Sequence, residues 1–130
     1  MDYKNRVVVV TGGANGIGRA TVESFLTAGA AVAFVDTDKE SGDKIVSRFE
    51  ANDVYFNHGD IAEEATLHAF AEAVKQRFGK VDYLVNNACI SKKGILSECS
   101  YQDFNYVLAL GVTAPYQLTS LFLPVLTADA

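Results

Sequence analysis

The stretch from Arg6 to Gly18 reads RVVVVTGGANGIG, and it decides how the rest of the chain is interpreted. Its first part is a run of valines, which favours a strand that is buried on both faces. Its second part places glycines at positions 12, 13, 16 and 18, which favours a tight turn that leads into a helix. A buried strand, a glycine-rich turn and a helix predict the first unit of a parallel α/β sheet.

The same alternation of apolar runs and helical periods continues along the chain. The predicted strands are Arg6–Thr11, Ala30–Asp36, Val54–Asn57 and Val81–Ala88, and stretches of helical period separate them. Crossover connections between parallel strands are right-handed, which leads to a doubly wound sheet. The sequence therefore predicts a single Rossmann-type α/β domain over residues 1–130, with strand order 3-2-1-4 and helices on both faces.

Composition excludes several classes of function. The 130 residues carry 11 basic and 16 acidic side chains, a net charge of −5, which disfavours a nucleic-acid partner. Two cysteines, Cys89 and Cys99, provide no disulfide framework, and residues 1–10 are too charged for a signal peptide, so we expect a cytoplasmic protein. The His, Cys, Asp and Glu residues show no spacing typical of a metal site.

The glycine-rich turn is a candidate phosphate site. A pyrophosphate needs backbone N–H groups at a helix N-terminus, and a Cβ in the turn would keep it away. The residues predicted to bind a dinucleotide in this turn are Gly12, Asn15, Gly16, Ile17 and Gly18. An ordinary tight turn between a strand and a helix remains the alternative.

Asp36 stands 24 residues after Gly12, at the end of the second predicted strand. In a doubly wound sheet this position lies beside the adenosine ribose, where a carboxylate accepts hydrogen bonds from the hydroxyls. Because Asn15 and Thr37 bring no cation to offset Asp36 against a 2′-phosphate, NAD is favoured over NADP. A strand-terminal or helix-capping aspartate is the alternative.

The glycine spacing T-G-x-x-x-G-x-G at Thr11–Gly18 resembles the fingerprint of the classical short-chain dehydrogenase/reductase family. Asp60-Ile61 and Asn86-Asn87-Ala88 continue the resemblance in register over the whole chain. The resemblance implies that Asp60 hydrogen-bonds the adenine amino group and that Ile61 lies near the ring. It also implies that Asn86 and Ala88 pass close to the cofactor ribose.

Local patterns offer other roles for the same residues. Asp60 and Glu63 have the spacing of a capping box, which could coexist with a contact to adenine. Asn86 also fits a turn at the end of a strand.

Three departures from the family pattern affect the expected activity. Cys89 replaces a glycine near the cofactor, where a small buried side chain is expected, and Gly111 stands where most members carry an asparagine, which predicts a kink or a close contact in that helix. No tyrosine has a lysine four residues later, although the resemblance implies that pair, with a serine, as the catalytic machinery. We therefore expect no catalytic residues in this chain, which resembles a cofactor-binding half truncated before the Ser and Tyr-x-x-x-Lys segment.

The last part of the chain is unusually apolar. Twenty-five residues between Asp103 and Asp129 carry no formal charge, but polar residues and two prolines interrupt them. We expect two helices buried against protein rather than a membrane anchor, and their apolar residues favour a subunit interface in a homo-oligomer.

The expected function is that of an NAD-dependent short-chain oxidoreductase, which transfers hydride between nicotinamide and an alcohol or ketone. The residues that would select the small-molecule substrate are not identifiable. The alternatives are a non-catalytic module that binds a dinucleotide, and a domain that only binds other proteins.

Overall fold

The computed structural model describes residues 2–91 and 94–128. In these ranges the strands are β1 (Val7–Thr11), β2 (Ala31–Asp36), β3 (Val54–His58) and β4 (Tyr83–Val85). The α-helices are α1 (Gly16–Thr27), α2 (Lys39–Arg48), α3 (Glu64–Phe78), α4 (Tyr101–Leu108) and α5 (Ala114–Phe122).

The strands form one parallel sheet in the order β3-β2-β1-β4. The chain moves outward from β1 to β2 and β3, then returns across β1 to place β4 on its other side. This confirms the predicted doubly wound sheet and its strand order. A crevice is expected at the carboxyl ends of the strands, where the direction of winding reverses beside β1.

The core lies on both faces of the sheet because successive side chains of a strand point to opposite sides. Val8 and Val10 pack in one cluster with residues of α1 and α2. Val9 packs in the other cluster, where α3 and α5 contribute Phe70 and Phe122. All five residues of β1 are buried, as its run of valines predicts.

Strand β4 is shorter than the predicted Val81–Ala88. It pairs with β1 only from Tyr83 to Val85. The backbone N–H groups of Asn87 and Ala88 both donate to the Thr11 hydroxyl, at 3.0 Å, instead of extending the ladder. The Thr11 side chain thus ends the strand and holds the following segment over the turn after β1.

A buried carboxylate, Asp82, joins three parts of the chain just before β4. It accepts hydrogen bonds from the Val7 N–H at 2.7 Å and from the Thr127 hydroxyl at 2.8 Å. It also pairs with Arg6 at 3.2 Å and Lys80 at 3.0 Å, and its side chain is 1% exposed. Burial acts to raise the pKa of Asp82, but the Val7 N–H and these side chains outweigh it and hold the pKa at about 2.

The two helices expected in the apolar C-terminal part form one continuous helix, Tyr101–Val125. A π-helical turn, Ala109–Thr113, joins α4 to α5, and a short 3₁₀ turn, Leu123–Val125, ends it. Proline at position 115 does not break the helix, because it occupies the first turn of α5 after the π segment. The prediction of two separate helices is wrong, because α4 and α5 are continuous through the π-helical turn.

This helix is only partly buried. Ala114, Leu118 and Phe122 are buried, and α5 packs against α3. By length and composition it could cross a membrane, with a mean hydropathy of 1.3, but a core helix passes the same test. Its outward face carries exposed Phe104, Leu108, Val112 and Tyr116 among other apolar side chains.

Candidate functional site

A cleft of about 430 Å³ lies at the carboxyl ends of the strands. Its walls come from the turn after β1, the end of β2, and the segments that follow β3 and β4. Two residues of the long helix, Tyr106 and Leu110, also line it. The lining residues are Gly12, Asn15, Ile17, Gly18, Val35, Asp36, Thr37, Gly59, Asp60, Ile61, Asn87, Ala88, Cys89, Ile90, Tyr106 and Leu110.

The glycine-rich turn is fixed to the segment after β4. Gly12 has a φ of 68°, a left-handed conformation that favours glycine, and a Cβ there would lie 3.0 Å from the Ala88 Cα. The Asn87 side-chain amide donates to the carbonyl oxygens of Thr11 and Gly12, at 3.1 and 3.2 Å. The backbones of the two strand ends therefore approach closely at Gly12, and the Asn87 side chain joins them.

Helix α1 begins against this turn. A Cβ on Gly18 would lie 1.9 Å from the Gly12 carbonyl oxygen, so only glycine permits this approach. Asn15 precedes the helix, but its side chain does not cap it and instead donates to Asp38 Oδ2 at 2.9 Å. Ile17, in the first turn, is 80% exposed on the cleft wall. The helix start thus presents uncapped N–H groups and an uncovered apolar side chain.

Asp36 connects the end of β2 to the glycine-rich turn. Its Oδ2 accepts from the Ala14 N–H at 3.0 Å, and its Oδ1 accepts from the Asp38 N–H at 2.9 Å. A carboxylate oxygen has two lone pairs, so each oxygen can still accept another hydrogen bond. Asp36 is not a helix cap, because Asp38 fills that role for α2 by accepting from the Ser41 N–H.

Asp38 adds a second negative charge near Asp36. Hydrogen bonds from the Ser41 N–H, the Asn15 amide and the Ser41 hydroxyl lower the pKa of Asp38 to about 2. The carboxyl is therefore ionised at neutral pH. Neither Asn15 nor Thr37, which line the cleft beside these aspartates, carries a positive charge.

Asp60 lies in the cleft between β3 and α3. It does not cap α3, which begins at Glu64 after Glu63; its Oδ1 accepts from the Ala62 N–H at 2.9 Å. The capping-box interpretation is therefore wrong. Its other oxygen, Oδ2, accepts from the Tyr106 hydroxyl of α4 at 2.9 Å.

Most of the residues predicted to bind a cofactor meet in this cleft. Gly12, Asn15, Ile17, Gly18, Asp36, Asp60, Ile61 and Ala88 line it. Gly16 and Asn86 do not line it. Their assignment to cofactor binding remains a prediction.

Sequence reasoning missed two side chains of the site, Asn87 and Tyr106. Asn87, rather than its neighbour Asn86, turns its amide to the glycine-rich turn. The period-2 alternation of the preceding strand could have shown which of the two asparagine side chains points to the turn. Nothing near Tyr106 in sequence indicates its contact with Asp60, which lies 46 residues away.

The departures at Cys89 and Gly111 have local structural outcomes. Cys89 is exposed, not a small buried side chain as expected, because it follows the last residue held by Thr11 and faces the cleft. Gly111 lies within the π-helical turn Ala109–Thr113, and the predicted kink at this position stays a prediction. The expected close contact is not found among the described residues, since a Cβ on Gly111 would have no atom within 4 Å beyond its chain neighbours and the backbone of its own helix.

Comparison with known proteins places this arrangement among dehydrogenases. The family model for "short chain dehydrogenase" matches residues 6–130. The chain is 38% identical over 123 residues to L-fucose dehydrogenase of Mus musculus, which covers 94% of the chain and 44% of the mouse protein. The chain thus spans about half the length of the curated relatives it matches.

Solved structures share the fold and hold either form of cofactor. A short-chain dehydrogenase/reductase from Burkholderia phymatum in complex with NAD matches with a TM-score of 0.90 and 28% identity, over 99% of this chain and 47% of that one. A metagenomic short-chain oxidoreductase in complex with NADP matches with a TM-score of 0.87 and 29% identity, over 94% and 57%.

Proposed function

This chain belongs to the short-chain dehydrogenase family, and we propose that its cleft binds NAD as the cofactor-binding half of an oxidoreductase. The observation that carries the proposal is the bond between Asp36 and the Ala14 N–H, which joins the ribose-side carboxylate to the phosphate-side turn. A ligand that contains both a pyrophosphate and a ribose spans these two features.

The residues of the cleft fit each part of such a ligand. The backbone of Gly12, with no Cβ in the way, and the uncapped N-terminus of α1 suit a pyrophosphate. The free lone pairs of Asp36 suit the ribose hydroxyls, and the exposed Ile17 gains cover when a ligand lies across it. Asp60 and Ile61, beyond β3, suit the adenine base.

Charge favours NAD over NADP in this proposal. A 2′-phosphate would lie beside Asp36 and near the ionised Asp38, while Asn15 and Thr37 offer it no cation. One like charge at about 4 Å costs roughly 1–4 kcal/mol for dielectric constants between 80 and 20. Similar structures hold either cofactor, so the fold alone does not fix the selectivity, and the proposal assigns it to these side chains.

The cofactor supplies hydride transfer when it is bound, with an alcohol or ketone as the reaction partner. The chain itself binds and orients: Asp36 holds a sugar, and the turn holds phosphates. No tyrosine of the sequence has a lysine four residues later, so the pair in which the tyrosine would act as the acid is not among these residues. We therefore expect these 130 residues to bind the cofactor without turning over a substrate, as a non-catalytic dinucleotide module also would.

Asp36→Asn is expected to move the ratio of NADP affinity to NAD affinity toward NADP by about tenfold or more, because it removes the charge that opposes a 2′-phosphate. Calorimetric titrations with both dinucleotides measure the ratio. Asp43→Asn, on the exposed surface of α2 and outside the cleft, makes the same charge change and should leave it within twofold. An unchanged ratio in Asp36→Asn would refute the selectivity argument.

We also propose that the exposed face of the long helix contacts a second copy of the chain. Its apolar side chains recur four residues apart, at Phe104, Leu108, Val112 and Tyr116. Such a stripe is more apolar than a free surface helix usually is. Sedimentation equilibrium should show a dimer or larger species that Val112→Glu weakens; a monomer at every concentration would contradict this.

A further inference from the structure

The hydroxyl of Tyr106 is bonded to Asp60 inside the cleft. It donates to Asp60 Oδ2 at 2.9 Å, while the Ala62 N–H donates to Oδ1 at 2.9 Å. Each carboxylate oxygen therefore has one donor, and the two donors come from different elements. The plane of the carboxylate is fixed by both contacts, whereas the Ala62 bond alone would leave it free to rotate.

In the complex proposed above, Asp60 would lie at the base end of the dinucleotide. The pyrophosphate would lie at the turn after β1, and the ribose would lie at the end of β2, beside Asp36. Since β3 is the next strand in the order β3-β2-β1-β4, the base extends toward the segment after β3. That segment contributes Gly59, Asp60 and Ile61 to the cleft.

A fixed carboxylate distinguishes between purines at this place. The 6-amino group of adenine donates hydrogen bonds, and a carboxylate only accepts them. Hypoxanthine has a carbonyl at the same position, which would face the carboxylate with no proton between them. It offers a donor only at the neighbouring ring nitrogen, which a carboxylate could reach by rotating. The hydrogen bonds from Tyr106 and Ala62 to Asp60 oppose that rotation.

Tyr106 keeps its proton and so remains a donor. The hydrogen bond to Asp60, partial burial and the charges of Asp60 and Glu63 all raise the pKa of Tyr106 above its usual range. The hydroxyl also has lone pairs left, but its single proton is committed to Asp60.

We propose that Tyr106 is a positioning residue that locks the Asp60 carboxylate and thereby makes the cleft select a 6-aminopurine over a 6-oxopurine dinucleotide. This inference rests on the proposed binding of NAD. It gives a role in base specificity to a side chain of α4. This helix lies outside the glycine-rich turn and the ends of β2 and β3, which form the rest of the proposed binding site.

The test compares NAD with nicotinamide hypoxanthine dinucleotide in calorimetric titrations. The wild-type chain should bind NAD more tightly, and Tyr106→Phe should reduce that preference by about tenfold, mainly by weakening NAD. Tyr101→Phe removes a hydroxyl from the same helix outside the cleft, where the side chain is 85% exposed, and should leave the preference unchanged. Asp60→Asn should lose the preference as well, because its amide can pair with either purine.

The possible failures are distinguishable. If the wild-type chain binds neither dinucleotide, the proposed function fails and this inference fails with it. If the wild-type chain prefers NAD and Tyr106→Phe keeps the full preference with an unchanged melting temperature, only the positioning role is wrong.

Discussion

Asp82→Ala is expected to lower the free energy of unfolding by about 3 kcal/mol, because it removes the shared acceptor of a buried network. The Val7 N–H would lose its partner at the start of β1, and Thr127 would lose its contact with the sheet. Arg6 and Lys80, more than a third exposed, can turn to water, which keeps the loss moderate. Urea unfolding followed by circular dichroism measures the change in the free energy of unfolding.

The same network predicts a pH dependence. Because folding lowers the pKa of Asp82 to about 2, its contribution is fully present above the unfolded value near 4 and is lost as the pH falls through about 2. That contribution is about 2 kcal/mol for a shift of this size. Between pH 4 and pH 2, the wild-type chain should therefore lose more stability than Asp82→Asn.

A matched control separates this network from a surface ion pair. Asp53→Ala breaks the pair with Arg77 at 3.0 Å, in which both side chains are about half exposed, and should cost less than about 1 kcal/mol. Equal losses for Asp82→Ala and Asp53→Ala, or parallel acid titrations of wild type and Asp82→Asn, would show that Asp82 has no special role.

Gly18→Ala is expected to weaken NAD binding by about a hundredfold and to lower stability by about 2 kcal/mol. The added Cβ would lie 1.9 Å from the Gly12 carbonyl oxygen and 2.6 Å from Asn87 Nδ2. The turn and the start of α1 would have to separate by more than about 1 Å to restore an ordinary non-bonded distance. The backbone proposed to hold the pyrophosphate would then be displaced.

Gly111→Ala is the control for this substitution. It also replaces a helical glycine by alanine, but within the described part of the chain the new Cβ would meet no atom within 4 Å beyond its chain neighbours and its own helix backbone. It should be neutral or stabilising by about 0.5–1 kcal/mol, with unchanged NAD affinity. If Gly18→Ala behaves like Gly111→Ala in both thermal unfolding and calorimetry, the close approach of turn and helix does not matter for binding.

Local patterns in the sequence predicted the strands, their order and the glycine-rich turn. The valine side chains of β1 favour a buried strand. The glycines that follow have no Cβ and permit the tight turn. Asp36 could also be predicted, because a fixed topology places the end of β2 beside the turn after β1. These features depend on short-range chemistry and on the handedness of crossover connections.

The features that the sequence did not reveal depend on contacts between distant residues. The end of β4 is set by the Thr11 hydroxyl, and the carboxylate plane of Asp60 by Tyr106. The role of Asn87 depends on its hydrogen bonds to the carbonyl oxygens of Thr11 and Gly12, which lie 76 and 75 residues away in sequence. One continuous helix stands in place of the two predicted ones because a π-helical turn that contains Gly111 joins α4 to α5.

A calorimetric titration of the folded wild-type chain with NAD and NADH tests the central claim most directly. The account predicts saturable binding of one dinucleotide per chain with a dissociation constant below about 1 mM, the affinity that corresponds to roughly −4 kcal/mol. Heats indistinguishable from dilution for both forms at millimolar concentration, on material shown to be folded, would contradict it.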